Sequence, residues 1–237
     1  VSFQIDRPVL NPDLNTNMFC GYEKGRWLLF GATMSAGLSL EWWHRHSGNV
    51  DYAIIDQEAE RVQPGSGGLL FLPFLNGERT PYLDPDLRAA FLGLNIGTTH
   101  AHMTRAVMEG VAYSLMQCIE ICGSLGFRAK TLVASGGAAR SKPWLQLQAD
   151  VYNFPLRVAA TKEQAGFGAA IAAGVGAGVY RNLEEGCRAA VHYLDEIIQP
   201  NAQRHEIYQD YYTLYKEAIQ NAQKTLNKLT ALDRSSS

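Results

Sequence analysis

Between Leu132 and Val158 the chain reads as strand, loop, helix and strand, and this unit limits the possible folds more than any other. The apolar run Leu132-Val133-Ala134 meets five of the smallest residues, Ser135-Gly136-Gly137-Ala138-Ala139. A helical stretch follows from Ser141 to Tyr152, then a second short apolar run, Leu156 to Val158. Strands alternating with helices argue an α/β fold. Glycine permits positive φ and close approach of backbone to a ligand. The helix after the joint exposes N–H groups in its first turn, and open α/β sheets bind ligands at such joints. The other reading of these residues is a tight turn with close helix–strand packing, and both stay open on local chemistry. The joint is not a Walker A loop, since G-K-[ST] occurs nowhere in the chain.

A second small-residue patch is Gly166-Phe167-Gly168-Ala169-Ala170-Ile171-Ala172-Ala173-Gly174. Helix propensity does not explain these glycines, each of which costs ~1 kcal/mol against alanine. Close packing does, against another helix or a planar ligand. The rest of the chain fits around these pieces. Met18–Tyr22 and Arg26–Ala32 read as a β-hairpin joined at Glu23-Lys24-Gly25. Ser35–His46 is helical, with Leu38, Trp42 and Leu40 expected inward. An amphipathic piece spans Asp51–Val62, and Leu69–Leu72 is a buried strand. Pro73–Arg88 holds NGERTPYLDPD and three prolines, so it is irregular. There, Glu78-Arg79 is open to a catalytic reading but expected to brace the loop by a salt bridge, and Asp84 and Asp86 are open to a carboxylate pair but expected in a solvated loop. His100–Leu125 is the longest helical pattern, capped by Thr98 or Thr99, with Met103, Ala106, Val107, Val111, Leu115 and Cys118 on one face. Further helices are expected at 166–179, 183–192 and 204–229, and residues 233–237 as a disordered tail.

Composition removes several classes of function. The net charge is −2 and no two Lys or Arg residues are adjacent, which gives no footprint for nucleic acid. The longest uncharged stretch, Gln164–Tyr180, contains five glycines and is too short to span a bilayer. The first residues carry no signal-peptide pattern, so the expected compartment is the cytoplasm. Cys118 and Cys122 are four apart on a helix and read as buried small hydrophobes. The histidine pairs 44/46 and 100/102 point apart on a helix, and no metal site is expected.

Several stretches, taken in order, resemble the FGGY carbohydrate kinases. Ala89-Ala90-Phe91-Leu92-Gly93-Leu94 followed by His102-Met103-Thr104-Arg105-Ala106-Val107-Met108-Glu109 is similar to the family's second signature. PFLNGERTPYLDPDLRAAFLGL is similar to the xylulokinase type of the preceding loop, SGGAARS to the family's adenosine loop, and GFGAAIAAG to the helix after it.

The resemblance implies an actin-like (ribonuclease H-like) ATPase fold: two lobes and a cleft, with this chain as the C-terminal, nucleotide-binding lobe over residues 1–232. The N-terminal, sugar-binding lobe and its general-base aspartate are expected outside the chain, so the chain itself carries no catalytic residue and would be inactive in isolation. The implied cofactors are ATP and Mg²⁺. The resemblance assigns Gly137 and Ala138 to the face of adenine, Ser141 to a polar contact with the base, and Gly136 to the turn. Gly37 and Glu41, in MSAGLSLEWW, fall in the segment that reaches the phosphates and ribose. Glycerol kinases have glutamine at the Glu41 position. A carboxylate sits poorly beside a polyphosphate, so Glu41 is expected at the ribose hydroxyls or in solvent. The implied reaction is phosphorylation of D-xylulose to D-xylulose 5-phosphate, with gluconate or another FGGY sugar as alternatives. A non-catalytic nucleotide-binding or assembly module is the alternative of a different class. A homodimer is compatible with the resemblance.

Overall fold

Fourteen helices and strands follow one another through residues 1–235, the span described by a computed structural model of the chain. Strands β1 (Ser2–Ile5), β2 (Asn17–Cys20) and β3 (Trp27–Phe30) form an antiparallel sheet with β3 in the centre. The expected hairpin is there, pairing Asn17 with Phe30 and Cys20 with Trp27, and β1 adds a strand on the other side of β3. Two helices follow, α1 (Ala36–His46) and α2 (Tyr52–Arg61), the second capped by the Asp51 carboxylate on the Ala53 N–H. Strand β4 (Leu70–Leu72) pairs antiparallel with β5 (Ala90–Leu92), which lies inside the signature and had no strand expectation. The chain between them is irregular, as its prolines require.

The centre of the molecule is α3 (His100–Ser124). Thr99 closes a capping box with His102 at its start. Ala106, Val107, Val111 and Cys118 are buried on its inner face. Helix α3 packs against β4, α1, α2 and α4. The approach to β4 is close at Gly110, where a Cβ would stand 2.2 Å from the Phe71 carbonyl oxygen. The remaining elements are β6 (Leu132–Ala134), α4 (Lys142–Tyr152), β7 (Leu156–Val158), α5 (Gln164–Gly176), α6 (Leu183–Ala190) and α7 (Ala202–Ser235). Strands β6 and β7 are parallel neighbours with α4 between them in sequence, so the second half is α/β as its pattern argued.

Four expectations are corrected. The inward residues of α1 are Ser39, Leu40 and Trp43; Leu38 is exposed and Trp42 only half-buried. Trp43 is drawn in because its indole N–H donates to Thr104 Oγ1 of α3 at 2.8 Å. Residues 233–235 do not begin a tail but end α7, where Arg234 pairs with Asp86 at 2.7 Å. The last two serines of the expected tail, 236 and 237, lie outside the described residues. Asp84 and Asp86 are therefore not a solvated turn. Asp84 accepts from the amides of Gln223 and Asn227, both at 2.8 Å, and so fastens the end of α7. Burial alone would raise the Asp84 carboxyl, but these two amides together with the backbone N–H groups of Asp86 and Leu87 outweigh it and hold it below the usual range. Finally, Glu78 makes no salt bridge with Arg79. It is 3% exposed, and its carboxylate braces the loop by accepting backbone N–H groups instead.

A buried network ties the helices together. The Arg105 guanidinium donates to Glu109, to the Ala59 carbonyl of α2 and to Tyr208 Oη of α7, at 2.9, 2.7 and 2.6 Å. Glu109 also accepts from the Gly65 N–H and the Ser66 hydroxyl. Tyr113 packs among Tyr208, Tyr212 and Tyr215, and these four rings hold α7 on α3.

Candidate functional site

Because β6 and β7 are parallel and adjacent, the loops that follow them leave from the same end of the sheet. The first is Ser135–Arg140, and the second leads into α5 at Gln164. The two small-residue patches are thereby brought to one end of the molecule. Gly136 takes φ 79° and ψ −164°, a conformation open essentially to glycine alone, and it turns the chain off the end of β6. Gly137–Arg140 make one 3₁₀ turn, and Ser141 then caps α4 by accepting from the Trp144 N–H at 3.1 Å. Proline at the second helical position, Pro143, agrees with a helix start here.

The two readings of the glycines separate in space. A Cβ at Gly174 would meet the Tyr180 ring at 2.9 Å, and one at Gly186 would meet Ile171 and the same ring, so these glycines serve α5–α6 packing. At Gly136, Gly137, Gly166 and Gly168 a Cβ would meet nothing within 4 Å. Helix α5 is apolar on every side, yet Ile171 is its one buried residue. Such a helix is ordinarily enclosed, whereas here Ala165, Gly166, Gly168, Ala169 and Ala170 face open space. Ala138 is half-buried against the main core.

Gly37 lies in the first turn of α1, and nothing stands within 4 Å of where its Cβ would be. Ser35 caps this helix without a side-chain hydrogen bond; it is 1% exposed, and its hydroxyl has no partner. Glu41, one turn further on, is ion-paired with Arg45. The segment entering α1 is clamped from the long loop. Glu78 Oε1 accepts from the Met34 and Arg79 N–H groups, both at 2.8 Å, and Ser114 donates to Oε2 at 3.3 Å. Thr80 adds two bonds to Ala32: its N–H donates to the Ala32 carbonyl at 2.9 Å, and its Oγ1 accepts from the Ala32 N–H at 3.1 Å. Burial pushes the Glu78 carboxyl up to about 7, although the three donors oppose the shift. No hydrogen bond among the described residues joins Gly37 or Glu41 to the 136–141 loop. The two parts share a scaffold instead: α1 and α2 pack on α3, and α2 also packs on α4.

Sequence reading did not find Asp56. It projects from α2 and accepts from Ser141 Oγ at 2.7 Å. Burial raises its carboxyl, the Ser141 hydrogen bond opposes this, and the neighbouring charge of Glu60 adds to it. Nothing in the local pattern of α2 marks this residue, since its partner lies 85 positions away. Among the described residues no three His, Cys, Asp or Glu side chains converge to hold a metal ion. Cys118 and Cys122 are buried, with thiols pushed up to about 12 and about 11 by burial. A cleft of about 340 Å³ between Phe3, Ile119, Phe127 and Phe154 is lined by none of the residues above. No helix among the described residues is long and apolar enough to cross a membrane.

This combination of a small-residue β6–α4 joint, an apolar helix after β7 and a central signature helix belongs to a recognised class. Residues 6–177 match the FGGY family of carbohydrate kinases, C-terminal domain, and the chain belongs to that family. A xylulose kinase of Staphylococcus epidermidis is 37% identical over 225 residues, covering 94% of this chain and 45% of that protein. Among solved structures, the xylulose kinase of Lactobacillus acidophilus superposes with a TM-score of 0.88 at 24% identity, over 96% of this chain and 46% of that one. The gluconate kinase of the same organism gives 0.87 at 25% identity, with the same coverage of both chains. The chain therefore spans somewhat less than half the length of these relatives.

Proposed function

We propose that this chain is the nucleotide lobe of a two-lobed sugar kinase, which moves the γ-phosphoryl group of ATP to a sugar hydroxyl. The observation that carries the reading is the open space over Gly136, Gly137, Gly166 and Gly168 at one end of two parallel strands. A purine is flat, and a flat ligand needs walls without side chains. Gly137 and Ala138 would form one wall, the first half of α5 the other, and Gly136 the turn between strand and wall. Ser141 keeps an unused lone pair for the base edge. The phosphates would lie toward the first turn of α1, where the N–H groups around Gly37 and the orphan Ser35 hydroxyl suit an anion. Glu41, held by Arg45, points its charge at a cation and not at a phosphate, and is assigned to the ribose side or solvent.

In this reading MgATP is the substrate, and among the described residues no three His, Cys, Asp or Glu side chains converge to hold the ion. The sugar oxygen attacks the γ-phosphorus, the bond from that phosphorus to the bridging oxygen of ADP breaks, and the hydroxyl proton passes to an aspartate of the other lobe. The lobe described here contributes position and electrostatics, which carry most of phosphoryl transfer.

D-Xylulose is the proposed acceptor, supported by the 37% identity to a xylulose kinase. Gluconate is the second candidate, supported by the equally good superposition on a gluconate kinase. The test is ADP release by the two-lobed protein with MgATP and D-xylulose, D-gluconate, L-ribulose, glycerol or no sugar. Release that requires D-xylulose is expected. Release with a different sugar moves the substrate but keeps the kinase. Sugar-independent binding of ADP with no release would leave a non-catalytic nucleotide module. Ala138→Trp should abolish ADP binding while leaving the melting temperature near that of the parent; unchanged ADP affinity in that variant sinks the slot.

A further inference from the structure

A serine hydroxyl carries one proton and two lone pairs, and an ionised carboxylate only accepts. Ser141 Oγ stands 2.7 Å from Asp56 Oδ1, so the serine gives its proton to the aspartate. One lone pair takes the Trp144 N–H at 3.1 Å, which is the helix cap. What remains for anything lying on the loop is one lone pair, an acceptor with no proton to offer. Asp56 makes no other side-chain hydrogen bond among the described residues. It reaches across from a different helix to fix one proton at the edge of the candidate slot.

We propose that Asp56 sets the base preference of the site: by holding the Ser141 proton it leaves Ser141 able to accept from a 6-amino group and unable to donate to a 6-oxo group. The site would then take adenine nucleotides and reject hypoxanthine and guanine nucleotides. Asp56 does not touch the nucleotide; it is a positioning residue that acts through Ser141. The inference rests on the reading of residues 136–141 as the nucleotide loop with Ser141 at the base edge. A buried or half-buried acceptor left facing another acceptor loses its hydrogen bond and keeps the desolvation cost, so discrimination of about tenfold is expected from this one contact. Without Asp56 the hydroxyl is free to turn, and can donate to a carbonyl as readily as it accepts from an amine.

The experiment is a pair of calorimetric titrations, ADP and IDP, on the two-lobed protein. The two ligands differ at purine position 6 and the adjoining ring nitrogen. The ratio of their dissociation constants does not depend on the fraction of protein that is folded. The parent is expected to favour ADP. Asp56→Ala should shrink that preference about tenfold. Ser141→Ala should shrink it as well, and adding Asp56→Ala to the Ser141→Ala protein should change nothing more, because the effect passes through one hydroxyl. A purely structural tether between α2 and α4 would lower the melting temperature of Asp56→Ala and of Ser141→Ala alike and leave the ratio where it was. An unchanged ratio in Asp56→Ala, with Ala138→Trp abolishing binding of both ligands, overturns the role of Asp56 and spares the slot. A parent that binds ADP and IDP alike also overturns it. Ala138→Trp that binds ADP like the parent removes the slot itself, and the inference falls with it.

Discussion

Gly136 and Gly137 are neighbours with opposite requirements, and mutation should separate them. Gly136 sits at φ 79°, where any Cβ strains the backbone, although the space around it is empty. Gly136→Ala should cost about 1–3 kcal/mol, read as a lowered denaturation midpoint. Gly137 is not at positive φ, and its Cβ would also meet nothing. Gly137→Ala should therefore leave stability within about 0.5 kcal/mol and weaken ADP binding, because the added methyl stands where the base is proposed to lie. Glu78 gives a test in pH. Burial pushes its carboxyl up to about 7 in the fold, from an ordinary value of 4.5. Between those values the folded chain holds a proton that the unfolded chain has released. The Glu78 contribution to stability should thus be full below about 4.5, fall as pH rises to about 7, and then level off. Glu78→Gln keeps an oxygen for the Met34 and Arg79 N–H groups and does not titrate. The melting temperature of Glu78→Gln relative to the parent should therefore climb from pH 5 to pH 8, and a difference that stays flat across that range would refute the assignment.

Among the elements, α3 is held at a distance from β4 that one residue permits. Glycine inside an exposed helix normally costs ~1 kcal/mol against alanine, so Gly→Ala is normally a gain. At position 110 the new methyl would stand 2.2 Å from a main-chain oxygen of β4, which cannot swing aside as a side chain could. Gly110→Ala should destabilise by about 1–3 kcal/mol, measured by urea unfolding, and a gain would show that β4 can retreat. Helix α5 is the opposite case. Its small residues are packed at Gly174 and bare at Gly166 and Gly168, so one helix contains both a structural and a candidate functional use of the same residue type.

For the whole molecule, the pieces are joined by buried charge as well as by apolar contact. Arg105 and Glu109 touch α2, the turn at Gly65–Ser66 and α7, and the side chains of both are below 10% exposed. Glu109→Gln would leave the Arg105 charge buried without its counter-charge, at a cost of about 3–5 kcal/mol in global unfolding. Loss of cooperativity between the α7 tyrosines and α3 in near-ultraviolet spectra should accompany it. A variant that unfolds at the same denaturant concentration as the parent would show that water or rearranged partners replace the carboxylate. Helix α7 is pinned at both ends. Asp150 accepts from the Asn201 N–H near its start, and Asp84 and Asp86 take Gln223, Asn227 and Arg234 near its end.

How much of this was legible beforehand depends on the range of the interaction. The strand–loop–helix–strand unit at 132–158, the hairpin, the inner face of α3 and the Thr99 cap all rest on residues a few positions apart. Their spacing alone makes periodicity, turn chemistry and caps visible. The order of the signature stretches likewise placed the chain in its family. Sequence could not choose which face of α1 turns inward, because Trp43 is drawn in by Thr104, 61 residues away. Nor could it show that Asp84 and Asp86 fasten α7 over separations up to 148 positions, or that the Glu78 carboxylate accepts from the backbone N–H of Met34 in place of an ion pair with the Arg79 guanidinium. Asp56 is the sharpest instance: a polar residue on an amphipathic helix has no distinguishing pattern, and only the packing of α2 on α4 gives it Ser141 as a partner. Local order was written in the chain, because backbone geometry and side-chain period act within a turn or two. The polar pairings around the candidate site were decided by tertiary structure, because a hydrogen bond specifies geometry in space and leaves no period in the sequence.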